Sequence, residues 1–159
     1  MIKVQITPQI REAAKKKAAS VGVLQGSITG SQSNEVGCIG EIIVAEYAGA
    51  TIVNNPNYDL VLDKKRIDVK TKRCNTPPRT YYDCSVSAHG SKQKCDSYVF
   101  VRILTDLSCA WILGEISKED FYKKAIRYNR GDLDIDNGYI FKADCYNLKI
   151  GELNEVLAL

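Results

Sequence analysis

Two neighbouring stretches of alternating side chains constrain the fold of this chain more than any other feature of its sequence. They are Tyr58–Leu62 and Arg66–Lys72, and both have the two-residue period of a β-strand. Because successive strand side chains point to opposite faces, Asp68 and Lys70 share one face, and the apolar residues between and beside them occupy the other. The two strands therefore predict a hairpin that carries Asp59, Asp68 and Lys70 along one edge.

Two carboxylates and a lysine on one edge of a hairpin suit metal-dependent phosphodiester cleavage. Carboxylate oxygens are the ligands that Mg²⁺ and Mn²⁺ prefer. A lysine beside the metal can lie close to the attacking water and donate to the phosphate. The alternative is a surface Asp–Lys pair, which contributes about 0–1 kcal/mol to stability. That alternative does not account for the further acids nearby, so the pattern favours a nuclease.

A third acid, Glu41, lies in a helix predicted for about residues 34–48 and ended by Gly49. Gly37 and Gly40 precede it, and glycine lowers helix stability, so two such residues so close together indicate tight packing against another element. A glutamate on this small-residue stripe would be partly buried and would need a partner such as a metal ion. The alternative is an ordinary surface glutamate.

The remaining pattern predicts a layered arrangement of helices and strands. At 159 residues the chain has the length of one domain. A helix first, then a central run of strands and helices after it, indicates an α/β or α+β architecture. The other predicted elements are a helix from Pro8 to about Ser20, a polar connection over 22–33, strands near 50–53, 82–88, 97–104 and 109–116, a helix of about 118–128 capped by Ser117, a strand near 139–143 and a helix of about 149–157.

With these elements in this order, the chain resembles the PD-(D/E)XK nuclease superfamily, in particular its small phage-type members. The resemblance covers about residues 34–116 and rests on the helix with Glu41, the strand with Asp59 and the strand with Asp68-Val69-Lys70. It implies one restriction-endonuclease-like domain over 1–159, with a central mixed β-sheet flanked by helices. The family's proline before the first acid is absent, since Tyr58 stands there.

The resemblance also implies a role for each matching residue. Asp59 and Asp68 would bind Mg²⁺, for which Mn²⁺ would substitute, and the carbonyl of Val69 would join them. Lys70 would orient or activate the attacking water, and Glu41 would be an auxiliary acid at the metal. DNA is the implied substrate, and no small-molecule cofactor is expected.

Basic residues flank these acids and are expected to contact the DNA backbone. The formal net charge of +3 permits nucleic-acid binding without requiring it, so the clustering carries the argument. The run Lys15–Lys17 is interpreted as a solvated helix face, and Tyr81 or Tyr82 could stack on a base. The predicted nucleic-acid contacts are Lys64, Lys65, Lys72, Arg73, Arg79, His89, Lys92 and Lys94.

Several other classes of protein are disfavoured. Six cysteines without a C-x-x-C pair or an export signal predict reduced, mostly buried thiols and a cytoplasmic location in a bacterial or phage-infected host cell. A single histidine disfavours a zinc site, and no apolar run is long enough to span a membrane. The segment Asp132–Gly138 lacks the glycine and carboxylate positions of an EF-hand and predicts an acidic turn.

Other functional classes stay open at this point. One is a nucleic-acid-binding module that keeps a nuclease-like fold without the reaction, and another is a partner protein such as an inhibitor or a nuclease subunit. Within nucleases, the pattern does not separate a Holliday-junction resolvase, a homing or restriction-type enzyme, a nicking enzyme and an exonuclease. The absence of a separate recognition domain slightly favours structure- or end-specific cutting, and cutting of both strands would suit a homodimer.

Overall fold

A six-stranded mixed sheet, a layer of helices and a smaller sheet make up the structure. The computed structural model describes residues 1–21 and 31–156, and for residues 21, 31–33 and 54 it describes the backbone alone. The described elements are the strands β1 (Ile2–Gln5), β2 (Thr51–Asn55), β3 (Tyr58–Leu62), β4 (Lys65–Cys74), β5 (Asp83–Ser87), β6 (Ser97–Leu104), β7 (Cys109–Ser117), β8 (Ile126–Tyr128) and β9 (Cys145–Lys149), and the helices α1 (Pro8–Val21), α2 (Ser31–Ala48) and α3 (Lys118–Lys124).

The large sheet has the strand order β1-β7-β6-β4-β3-β2. The β4–β6 pair is parallel and the other neighbouring pairs are antiparallel, so the sheet is mixed. Strands β3 and β6 have the predicted bounds, and the expectation of an α/β domain with a mixed sheet is confirmed. Strand β1, at the edge of the sheet, was not predicted.

Helices α1 and α2 cover one face of this sheet. The hydroxyl of Thr7 accepts a hydrogen bond from the Ile10 N–H at 3.2 Å and caps α1. Helix α2 ends at Ala48 and is followed by Gly49, whose positive φ of 66° suits glycine. A Cβ at Gly40 would collide with Thr71 of β4, whereas a Cβ at Gly37 would meet nothing within 4 Å. Close packing of the helix on the sheet therefore explains one of the two glycines.

A three-stranded antiparallel sheet, β5-β9-β8, packs with α3 on the opposite face. The core there is rich in aromatic side chains, including the fully buried Tyr98 and Phe121. The flanking layer on this side is thus mainly a second sheet, which the sequence did not predict. Along the chain, the predicted helix of 118–128 is wrong in its second half, because α3 ends at Lys124 and β8 follows.

Two predictions near the C-terminus are wrong. Residues 139–143 form only a single bridge, between Leu133 and Ile140, and the strand lies instead at β9. The predicted helix of 149–157 is reduced to one 3₁₀ turn at Ile150–Glu152. Residues 22–30 of the predicted connection 22–33 lie outside the described residues. Its last three residues, 31–33, belong to α2.

All six cysteines are free thiols, and four of them are buried, as predicted. Burial raises the pKa of the Cys84 thiol to about 12. The acidic turn around Asp134 is also confirmed, since its carboxylate accepts hydrogen bonds from the Asp136 N–H and the Asn137 side chain. Within the described ranges, no helix has both the length and the apolar character that a bilayer crossing demands.

Candidate active site

The predicted acids lie where β3 and β4 separate. The two strands pair only between Leu60/Ile67 and Leu62/Lys65, whereas β4 continues beside β6 as far as Cys74. Beyond Ile67, that edge of β4 has no strand partner among the described residues. The fork opens into a cavity of about 500 Å³ that reaches from α1 and α2 to β5.

Asp59 occupies the apex of this fork. Its Oδ2 accepts a hydrogen bond from the Val69 N–H at 2.7 Å. The carboxylate thus replaces the backbone acceptor that a continuing β3 would have supplied. Extending the strand register by one step places Asp59 opposite Asp68 on the face away from the helices.

Asp68, Lys70 and Gln93 form a closed group on the same face. The Lys70 ammonium is 2.6 Å from Asp68 Oδ2 and donates to Gln93 Oε1 at 2.9 Å. The Gln93 amide in turn donates to Asp68 Oδ1 at 2.9 Å. Asp68 is only 2% exposed, so its charge depends on these two partners. Lys70 also lies 5.9 Å from the centre of the Tyr98 ring, a cation–π distance.

Gln93 is held in place by hydrogen bonds with residues outside this group. Lys118 donates to its backbone carbonyl, and its side-chain amide also approaches the carbonyl of Pro56 at 3.5 Å. This residue could not be predicted from the sequence, because a glutamine between two lysines in a loop carries no periodic signal. Its position follows only from the packing of the 3₁₀ turn Ala88–Lys92 and the segment after it over the fork.

Glu41 reaches the cavity from α2 and is paired across the helix layer. Its Oε2 lies 2.8 Å from the ammonium of Lys17 in α1, and both side chains are largely buried. Burial raises the pKa of Glu41, Lys17 opposes that shift, and the charge of Asp68 adds to it. The interpretation of Lys15–Lys17 as a solvated face is therefore wrong for Lys17, although Lys15 and Lys16 are exposed.

The carboxylates influence one another strongly. Burial raises the pKa of Asp59 well above its ordinary value, and the charges of Asp68 and Glu41 raise it further. The Val69 N–H and Lys70 act in the opposite direction without reversing the shift of this pKa. Burial and the neighbouring carboxylates therefore both oppose the ionisation of Asp59.

Carboxylate and carbonyl oxygens near the fork are of the kind that divalent cations bind. Asp59, Asp68 and the backbone of Val69 adjoin one another, and Glu41 lines the same cavity. Across residues 1–21 and 31–156, however, no three His, Cys, Asp or Glu side chains already form a group with metal-binding geometry. The arrangement supplies two adjacent carboxylates, with a third held by Lys17.

The predicted DNA contacts fall into distinct groups. His89, Lys92 and Lys94 are exposed and flank Gln93, so they lie beside the fork. Lys65 forms an ion pair with Glu115 and is not free for a phosphate. The other predicted contacts are Lys72, which lines the cavity, and the exposed Lys64, Arg73 and Arg79.

Arg102 is a second residue beside the predicted acids that was not predicted from the sequence. It lies in the middle of the apolar strand β6, is 8% exposed and lines the same cavity. A single arginine within a run of buried apolar residues was the available signal, because charged side chains are rarely buried without a partner.

No protein-family model matches this chain, and no curated protein matches it in sequence.

Proposed function

We propose that this protein is a metal-dependent DNA endonuclease of the PD-(D/E)XK type. The observation that carries the proposal is the convergence of Asp59, Asp68 and Lys70 at a fork in the sheet that opens into a cavity. The mixed sheet with helices on one face supports a restriction-endonuclease-like fold, although its other face is covered by a small sheet.

Asp59, Asp68 and the carbonyl of Val69 would hold Mg²⁺, with Glu41 as the auxiliary acid. Burial raises the pKa of Asp59, and repulsion from Asp68 and Glu41 raises it further; a bound cation would relieve that repulsion, which supports this assignment. When bound, the metal would stabilise negative charge on the phosphate and lower the pKa of a coordinated water.

Lys70 would position the attacking water and donate to a phosphate oxygen. Its ammonium has three donors and is held by Asp68 and Gln93, so its position is defined before substrate binds. The substrate is DNA, contacted beside the fork by His89, Lys92 and Lys94. Two such sites in a homodimer would allow both strands to be cut.

One observation favours a second candidate, a nucleic-acid-binding module without catalysis. Asp68 Oδ1 accepts a hydrogen bond from Gln93 and Oδ2 forms an ion pair with Lys70, so the charge of Asp68 is compensated without a metal, although Oδ2 accepts no hydrogen bond among the described residues. In that case Asp68 and Lys70 would stabilise the fork and the basic residues around it would bind DNA.

Cleavage of a labelled panel decides between the two candidates. The panel contains linear duplex, single strand, supercoiled plasmid and a four-way junction, each with Mg²⁺, Mn²⁺ or chelator. We expect metal-dependent cutting by the wild type and a loss of at least about 100-fold in Asp68→Asn and Lys70→Met. The preferred substrate would distinguish a junction resolvase from a site-specific or end-specific enzyme.

Matched control variants remove the same charges elsewhere. Glu119→Gln and Lys123→Met break the exposed ion pair on α3, at 2.6 Å, and should leave cleavage unchanged. DNA binding without cleavage under any metal would favour the binding module. If the protein neither binds nor cleaves DNA, both candidates are contradicted and a partner protein is favoured.

A further inference from the structure

Arg102 is a buried cation with no carboxylate partner among the described residues. Its Nη2 donates to the backbone carbonyl of Asp83 at 2.6 Å. Among the ion pairs of the described residues, none includes Arg102. Burying a charge without an opposite charge is unfavourable. An anionic ligand in the cavity that Arg102 lines would remove this cost.

Lys72 lies directly beside Arg102 in the sheet. The two residues are register partners in the parallel β4–β6 pair and line the same cavity. Like charges on adjacent strands repel each other. Desolvation and the neighbouring Arg102 accordingly lower the pKa of Lys72. Lys72 also forms no ion pair with any described residue.

The acid nearest to this pair is already neutralised. Asp83 borders the cavity, but its Oδ1 lies 3.0 Å from the ammonium of Lys149. The cavity therefore has two electrostatically different ends. The carboxylates of Asp59 and Glu41 line it near the fork, and Lys72 of β4 and Arg102 of β6, which form no ion pair with any described residue, line it further along the sheet.

We propose that Lys72 and Arg102 form a binding site for a phosphate group adjacent to the one at the fork. This inference rests on the proposed function, since it places the second phosphate on the same DNA strand. Lys70 and Lys72 are two residues apart on one face of β4, which is about 7 Å along a strand. That spacing is comparable with the separation of consecutive phosphates in a nucleic-acid strand. The planar guanidinium of Arg102 suits bidentate contact with phosphate oxygens.

The test measures DNA binding without cleavage. Fluorescence anisotropy of a short labelled duplex and of its single strand is recorded in chelator over a range of salt concentrations. We expect Lys72→Gln and Arg102→Gln each to weaken binding and to reduce the slope of log K against log salt by about 0.7–0.9. Lys123→Gln is the matched control and should leave the slope unchanged. Unchanged slopes in both cavity variants would overturn the proposal.

A kinetic measurement separates this inference from the nuclease proposal. The subsite would hold ground state and transition state alike, so the variants should raise KM severalfold at nearly constant kcat. Metal-dependent cleavage with unaltered KM and salt slope in both variants would overturn the subsite and leave the nuclease. A reduced salt slope in a protein that never cleaves would keep the anion site and refute the nuclease.

Thermal unfolding controls for folding and for the source of the phosphate. Lys72 lines the cavity but is not part of the buried core, so Lys72→Gln should fold normally and test the site even if Arg102→Gln does not. Inorganic phosphate should raise the Tm of the wild type more than that of Lys72→Gln. Stabilisation by phosphate combined with unchanged DNA slopes would assign the site to a free anion and overturn the DNA subsite.

Discussion

At the scale of single residues, the buried carboxyl group of Asp59 acts against the stability of the folded chain. Its pKa is raised in the folded state, so the folded chain holds this proton at pH values where the unfolded chain has released it. The free energy of unfolding therefore falls as the pH rises from the ordinary pKa of 3.8 through the raised pKa of Asp59 in the folded chain. A binding site that conflicts with stability in this way is typical of functional positions.

We predict that Asp59→Asn stabilises the metal-free protein at neutral pH. The substitution removes the charge and keeps an oxygen that can accept the Val69 N–H. A gain of about 1 kcal/mol would raise Tm by about 2–4 °C, measured by calorimetry in chelator across pH 5–8. Asp106→Asn is the control of opposite sign, because hydrogen bonds from Ser108 lower the pKa of Asp106. A lower Tm for Asp59→Asn would contradict the electrostatic account.

In the proposed nuclease, Gln93 would position Lys70 and Asp68 rather than contact substrate. Its amide bridges both, so Gln93→Ala should leave Lys70 with less defined geometry. We expect kcat to fall about tenfold, equivalent to about 1.4 kcal/mol, with KM unchanged. Steady-state kinetics on the preferred DNA substrate measure both constants. The exposed Gln5→Ala is the control, and a fall in Tm without a change in kcat would indicate a purely structural role.

At the scale of elements, the contact between α2 and β4 depends on one missing side chain. A Cβ at Gly40 would overlap the Thr71 hydroxyl, whose Oγ1 is buried without a hydrogen-bond partner among the described residues. Helix α2 also carries Glu41, so its distance from the sheet sets how far that carboxylate reaches into the cavity.

We predict that Gly40→Ala destabilises the fold by about 1–3 kcal/mol through overpacking. The cost should be smaller in a Thr71→Ala background, which removes the nearest atom, and a double-mutant cycle in urea measures this coupling. Gly37→Ala tests helix propensity alone, because its Cβ would meet nothing within 4 Å, and should stabilise by up to about 1 kcal/mol. Equal effects of the two alanines would show that close packing is not the cause.

At the scale of the whole molecule, the sequence predicted the strands of the fork better than what covers them. The strands β3, β4 and β6 have strong alternating or apolar patterns, so local side-chain chemistry was sufficient to predict them. The small sheet was missed because β5 and β9 are distant in sequence and β8 is only three residues long. The apolar residues of 139–143 suggested a strand, yet Ile140 is 60% exposed in a turn organised by Asp134.

The same distinction applies to the candidate site. Asp59, Asp68 and Lys70 are close in sequence on one hairpin, so strand alternation alone predicted their shared face. The pairing of Glu41 with Lys17, the bridge through Gln93 and the neighbouring Arg102 all join separate elements. Such contacts depend on how helices and loops pack over the sheet, which a single sequence does not encode locally.

The cavity side chains of β4 must be separated by an even number of positions. Asp68, Lys70 and Lys72 lie at even spacing on β4, so all three point into the same half of the molecule. Inserting one residue between Lys70 and Lys72 would turn Lys72 toward the helices and leave Arg102 without its neighbour. An insertion of two residues would restore the side while lengthening the interval. Insertions or deletions in this segment therefore keep these side chains in the cavity only if they change its length by an even number of residues.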